Sequence, residues 1–216
     1  MQNDLIARLG NCYTGAVYDV LRERGIKNTI LPHSIKPIDN SLKVSGIVWT
    51  CSGKIDENVD KDTTLLEWTG LLSKAPKDSV IICQPNDDSI AHMGELSAET
   101  LKYRGVRGYI VDGGCRDVDF ILDIKFPVFC KYFTPSDVVG RWKVTTLGEP
   151  INIGGVRIRT GDYVLADIDG SIIIPKEIID DVVIETEICM NTENRLRKDI
   201  LSGMDPQEAY LKYRLF

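Results

Sequence analysis

Histidine is scarce in this chain, with two in 216 residues. The six cysteines, at 12, 51, 83, 115, 130 and 189, form no C-x-x-C pair and have no matching histidine pair. The donor spacing of a zinc site is therefore missing. Several cysteines lie inside apolar runs such as Val80-Ile81-Ile82-Cys83, and they read as buried free thiols of a reducing compartment. Long hydrophobic stretches are also lacking: no run approaches the ~20 apolar residues of a membrane span. Asn3, Asp4 and Arg8 interrupt the apolar region a signal peptide needs, so the expected location is the cytoplasm, with no membrane partner. An excess of basic charge is missing too. Lys and Arg total 26 against 32 Asp and Glu, a net charge of −6, whereas nucleic-acid binding needs a basic face. The short cluster Arg195, Arg197 and Lys198 reads as a solvated helix face, and no nucleic acid is expected as a partner. There is no G-x-G-x-x-G frame for a dinucleotide, no local signature of a Ser-His-Asp triad, no low-complexity tract and no fixed repeat.

The apolar content of 43% suffices for a full core. One domain over 1–216 is expected, with a C-terminal helical extension from about 176 to 216. Helical periodicity runs near 4–24, 62–74, 95–104 and 176–202, alternating with apolar runs at 44–51, 79–83, 107–112 and 127–130. That is an α/β pattern. From Ile151 to Pro175 it turns to β, with Gly154-Gly155, Gly161-Asp162 and Asp169-Gly170 as expected hairpin turns. Asp167 and Asp169, one residue apart, share a strand face as a metal pair would, but read as turn and structural carboxylates.

Two segments carry chemistry. In Gly108-Tyr-Ile-Val-Asp-Gly-Gly-Cys-Arg-Asp117 an apolar run breaks at Asp112-Gly113-Gly114 and presents Arg116 beside Asp117. A guanidinium is matched to a carboxylate, and an Asp oxygen suits Mg²⁺ or Mn²⁺, so the pair is suited to a metal-chelating 2-oxo acid. The plainer reading stands beside it: Asp112 as a turn former, Asp117 as the N-cap of the next helix, Arg116 in a surface ion pair. Upstream, Gly94-Glu95-Leu96-Ser97 opens a helical pattern stopped by Gly105. A helix N-terminus favours an anion, and glycine there permits close approach; Glu95 could equally serve its own helix dipole. His33 reads as a loop residue. His92 stands two places before Gly94, where it could line a pocket. Cys115, next to Arg116, is the one thiol suspected of reactivity, against the plainer role of a small packing residue.

Together, His92-Met-Gly-Glu-Leu96, Val111-Asp-Gly-Gly-Cys-Arg-Asp117 and Thr160-Gly-Asp-Tyr-Val-Leu-Ala-Asp-Ile-Asp-Gly170 resemble the RraA-like family, which includes 4-hydroxy-4-methyl-2-oxoglutarate and 4-carboxy-4-hydroxy-2-oxoadipate aldolases. The likeness runs from the early segment Thr14–Leu21 to Ser202–Tyr210. It implies a β/β/α sandwich of the swivelling phosphohistidine-like type, assembled as a homotrimer or a dimer of trimers with sites at subunit interfaces. The implied activity is that of a divalent-metal-dependent lyase acting on a small 2-oxo acid, an aldolase or oxaloacetate decarboxylase working through a pyruvate enolate. The alternative within the family is a non-catalytic regulator that binds a protein such as a ribonuclease; sugar-acid chemistry on the same enolate is a third possibility.

Carried over residue by residue, the resemblance makes Asp117 the protein ligand of Mg²⁺ or Mn²⁺ and Arg116 the holder of the substrate carboxylate and polariser of its carbonyl. Gly94 and the amides of Leu96 and Ser97 would cradle the pyruvyl carboxylate, and Glu95 would position a water for proton transfer. A Schiff-base lysine is not expected, since Lys102, Lys125 and Lys131 all look solvated. One departure is plain: three positions after Asp117, where the aldolases carry a second acid, stands Phe120, and Asp119 falls about 100° away on a helix. Glu185 or Glu193 could lend a carboxylate to a neighbouring subunit, and Phe120, Trp142 and the loop 53–62 could shape the distal pocket.

Overall fold

The structure is a computed structural model that describes residues 2–216. Two helices open it, α1 (Gln2–Asn11) and α2 (Thr14–Glu23), followed by β1 (Lys36–Pro37) and the long β2 (Val44–Ile55). Next come α3 (Lys61–Lys74), β3 (Ser79–Gln84), α4 (Glu95–Tyr103), β4 (Gly108–Val111), β5 (Gly114–Cys115), α5 (Val118–Asp123), β6 (Val128–Cys130) and β7 (Tyr132–Phe133). A run of strands follows: β8 (Trp142–Leu147), β9 (Ile151–Ile153), β10 (Val156–Ile158), β11 (Tyr163–Ala166) and β12 (Ser171–Ile174). Helices α6 (Ile179–Leu201) and α7 (Pro206–Tyr213) end the chain.

Strands β2, β3, β4 and β6 lie side by side and parallel, which explains their near-continuous apolar runs: both faces are covered. β1 adds antiparallel to β6 at one edge, and β11 and then β12 add antiparallel beyond β2. Alternation along each strand separates the two faces. Val80 and Ile82 of β3 join Val48, Ile110 and Phe129 under the β9–β10 hairpin. Ile81 and Cys83 join Trp49, Tyr109 and Val111 under α3, α4 and α5. The result is hairpin, sheet and helices in three layers, the β/β/α sandwich that the family resemblance implies. A third core packs α1, α2 and α6 on Tyr163, Leu165, Ile172 and Ile174.

Three expectations need correction. The helical stretch 4–24 is two helices, because Tyr13 is extended (φ −115, ψ 155) and the Asp167 carboxylate accepts from both Thr14 N (2.9 Å) and Thr14 Oγ1 (2.7 Å), starting a new helix there. Gly161-Asp162 is not a hairpin turn: β10 pairs with β9, and β11 crosses to β2 instead. The buried Asp162 carboxylate holds that crossover, accepting from Arg159 N at 2.9 Å and from the Arg159 guanidinium at 2.8 Å. The helix expected at 176–202 begins at Ile179, and a further helix, α7, follows it. Gly154-Gly155 does turn a hairpin, both residues with positive φ. Asp167 is structural, its Oδ1 also accepting from Asp169 N at 3.1 Å, and Asp169 is an exposed residue of the turn between β11 and β12.

Candidate active site

Ligand sites in open parallel sheets sit beyond the carboxyl ends of the strands. Here the segments leaving β3, β4 and β7 converge with α3 around a cavity of about 540 Å³. The six motif residues expected to act all line it, Gly94, Glu95, Leu96, Ser97, Arg116 and Asp117, whereas Asp112 and Cys115 do not.

Asp117 occupies the N-cap position of α5, yet its side chain makes no capping bond, so the plainer reading of this residue does not hold. Its backbone is left-handed (φ 57, ψ 38), an uncommon conformation for a non-glycine residue. That conformation turns the carboxylate toward another helix: Oδ2 accepts from the Glu95 amide at 3.2 Å and lies 3.3 Å from Arg116 Nε. Oδ1 makes no hydrogen bond among the described residues. Gly94 explains the closeness, because a Cβ there would sit 2.8 Å from Asp117 Oδ2 and 3.2 Å from Arg116 Nε. The free amides of the first turn of α4 face this same space. The Ser97 hydroxyl oxygen accepts from Trp68 Nε1 at 2.9 Å, tying α3 to α4 and leaving its O–H free to donate.

Arg116 has a second partner that the motifs did not reveal. Its Nη1 donates to Asp137 Oδ2 at 3.1 Å, and Asp137 Oδ1 accepts from Val139 N at 3.2 Å. The cue that could have flagged Asp137 is its place in the polar turn Thr134-Pro-Ser-Asp just after β7, where strand-end residues of this fold class meet ligands. Among the described residues no group of three or more His, Cys, Asp or Glu is clustered to hold a metal.

Other expected contributors lie elsewhere. Trp142 is buried in the core, Nε1 donating to Pro85 O at 2.9 Å, and neither it nor Phe120 nor the loop 53–62 lines the cavity; the distal wall is α3. Asp119 is exposed on α5. Glu185 is held by Arg24 (Nε to Oε2, 2.8 Å), and Glu193 accepts from the Tyr13 hydroxyl. No lysine lines the cavity, and Lys131 is paired with Asp112 at 2.7 Å. His92, by contrast, does line the cavity as expected, though it is buried, edge-on to Trp142, with Nε2 3.5 Å from Asp87 Oδ2. Burial, opposed by the Asp87 charge, pushes its pKa down to about 4, so the ring is neutral near pH 7 and the 3.5 Å contact is not an ion pair. The Cys115 thiol is pushed up by its hydrogen bond to Cys130 and by burial, opposed by its contact with the Arg116 backbone; it is a packing residue.

A cleft beyond the parallel strand ends, with one arginine set among carboxylates, has the position and composition at which small-molecule sites occur in α/β sheets. The chain belongs to the RraA-like family: the model described as Aldolase/RraA matches residues 14–173. It is 31% identical over 213 residues to Protein DlpA of Legionella pneumophila, covering 97% of this chain but only 34% of DlpA, about a third of that relative's length. It is 30% identical over 176 residues to a Halalkalibacterium halodurans protein with the provisional name 4-hydroxy-4-methyl-2-oxoglutarate aldolase, covering 80% of this chain and 77% of the relative. The crystal structure of Streptomyces coelicolor RraAS2, described as an unusual member of the RNase ES inhibitor RraA protein family, superposes with a TM-score of 0.81 at 24% identity, covering 90% of this chain and 97% of that one; this likeness concerns the fold.

Proposed function

We propose that the protein is a divalent-metal-dependent carbon–carbon lyase that releases pyruvate from a small 2-oxo acid, as an aldolase, an oxaloacetate decarboxylase or both. The observation that carries this reading is the meeting of Arg116, Asp117 and the α4 N-terminus in one cleft. The provisional aldolase name of the H. halodurans relative supports it.

The donor set fits a hard cation that keeps most of its waters, because Asp117 offers one carboxylate oxygen without a protein partner and no multi-ligand cage surrounds it. It does not fit zinc, which favours nitrogen and sulfur donors. When bound, Mg²⁺ or Mn²⁺ supplies positive charge where the enolate oxygen develops. The chain's own groups do the remaining work. First-turn amides of α4, including those of Leu96 and Ser97, receive the pyruvyl carboxylate. Arg116 lies against the carboxylate and the C2 oxygen, and preorganised charge of this kind is commonly worth ~3–4 kcal/mol per donor. In the aldol cleavage the C4 hydroxyl gives up its proton and the C3–C4 bond breaks. Its electron pair moves toward the C2 oxygen as the new carbonyl compound leaves, and C3 then takes a proton to give pyruvate. Glu95 holds the water that carries these protons. Decarboxylation of oxaloacetate follows the same electron path with CO₂ leaving. A homotrimer or dimer of trimers is part of this proposal.

The test is pyruvate release, coupled to a dehydrogenase, from oxaloacetate and from 4-hydroxy-2-oxo acids, with Mg²⁺ or Mn²⁺ and with a chelator. Chelator-sensitive turnover supports the lyase. No turnover by intact oligomers favours the second reading, a non-catalytic regulator that binds a protein partner, which the likeness to RraAS2 keeps in view.

A further inference from the structure

At the amino ends of the parallel strands, the opposite end of the sheet from the Arg116 cleft, lies a second cavity of about 480 Å³. It is lined by Ala7 and Gly10 of α1, by Lys43, Val44 and Ser45 where β2 begins, and by Arg107 just before β4. Its frame is fixed by packing. Ser45 Oγ donates to Ile6 O at 3.1 Å, and α1 lies so near β2 that a Cβ on Gly10 would come within 2.9 Å of that Oγ. Arg107 is held at two points: its Nε donates to Ser45 O at 2.6 Å, and its stem runs over Gly46, where a Cβ would meet Arg107 Cδ at 3.2 Å.

Charge sets this cavity apart in an acidic chain. Two of its lining residues, Lys43 and Arg107, are cations, and none is a carboxylate. Elsewhere Arg8, Arg24, Arg116 and Arg159 each meet a carboxylate. Among the described residues Lys43 and Arg107 bond only to backbone carbonyls, those of Cys12 and Ser45. One bond apiece secures them, Lys43 beyond the carboxyl end of α1 and Arg107 between β4 and β2. An ammonium carries three donors and a guanidinium five, so most of the N–H groups of both, including the two Nη atoms of Arg107, have no protein partner among the described residues. Two cations with donors to spare and no counter-charge in the lining favour an anion there. A phosphate group puts about −1.5 to −2 of charge and its acceptor oxygens in one compact unit at pH 7, whereas a dicarboxylate divides its charge between two ends. Ala7 and Val44 keep the remaining lining small and apolar, with room for the organic part of an ester.

We propose that this cavity is a second ligand site, binding the phosphate group of a small monoester or of inorganic phosphate between Lys43 and the Arg107 guanidinium. The inference is independent of the lyase reading, because it uses no residue of the Arg116 cleft.

Isothermal titration of the intact oligomer tests it, with EDTA present and ionic strength held constant, using inorganic phosphate, glycerol 3-phosphate and succinate. Both phosphates bind once per chain and at least tenfold more tightly than succinate. Tighter binding of glycerol 3-phosphate than of inorganic phosphate identifies an ester as the ligand, and equal affinity assigns the site to the phosphate group alone. Lys43→Gln and Arg107→Gln each weaken binding at least fivefold. Ala7→Glu, at an exposed lining position on a helix, keeps both cations but adds a carboxylate, and weakens binding at least tenfold with the melting curve unchanged. Phosphate binding that none of the three substitutions weakens would place the anion elsewhere, as at the α4 N-terminus, and overturn the proposal. Succinate binding as tightly as the phosphates, or no phosphate binding at all, would overturn it too.

Discussion

Arg116 Nη1 lies 3.1 Å from Asp137 Oδ2, and the two residues are 21 positions apart in the chain. With Asp117 on its Nε edge, the guanidinium is held on two sides before any ligand arrives. Such preorganisation lowers the ordering cost of binding and fixes the direction of the charge.

Asp137→Asn keeps the shape and removes one of the two carboxylates. Both side chains are over a third exposed, so the pair is worth about 1 kcal/mol or less to stability. The expected outcome is a kcat about tenfold lower with the thermal midpoint nearly unchanged. Steady-state kinetics beside a melting curve check it, and an unaltered kcat would show that Arg116 needs no such support.

Gly94→Ala separates backbone from site. The backbone at φ −149 and ψ 177 accepts alanine, but the added Cβ would meet Asp117 Oδ2 at 2.8 Å. The fold should survive, by circular dichroism, while kcat/KM falls at least tenfold as Asp117 and Arg116 are pushed apart.

His92 gives a pH dependence with a definite sign. Its folded pKa, pushed down by burial to about 4, lies below the ordinary value near 6.5, so between those values the unfolded chain holds the extra proton. Its contribution is complete above about pH 6.5 and is lost as pH falls toward 4, a change of about 3 kcal/mol. Urea titrations at pH 7 and pH 4 should show that loss in the natural protein and a correspondingly smaller loss in His92→Phe. Equal losses in both would remove His92 as the cause.

Asp167→Ala tests the structural reading of the second Asp cluster. The change strips Thr14 N and Thr14 Oγ1 of their acceptor at the start of α2, with an expected loss of about 2–3 kcal/mol. The Mg²⁺ dependence of turnover should not move; a weakened metal response would make Asp167 a ligand after all.

These residues also mark how far the sequence could be read. The parallel strands were legible because a strand covered on both faces must be apolar throughout, as Val80 to Cys83 is. Arg116, Asp117 and Gly94 were legible because their motifs are local. The break between α1 and α2 was not, since the acceptor that starts α2 is Asp167, 153 positions away. Asp137 escaped for the same reason: an aspartate after Thr-Pro-Ser is an ordinary turn residue until the fold sets it against Arg116. The α3 wall was hidden too, because Leu65, Trp68 and Leu72 have the spacing of any buried helix face. By contrast α7 has a local cue, Asp205 capping and Pro206 in the first turn, which the expected single helical pattern near 176–202 leaves out.

The most direct test of the lyase reading is Asp117→Ala, assayed for Mg²⁺-dependent pyruvate release from oxaloacetate alongside the natural protein, with oligomer size checked for both. The account predicts a fall of at least a hundredfold with the assembly intact. An unchanged, chelator-sensitive rate in the variant would contradict it, because the metal and the chemistry would then lie elsewhere.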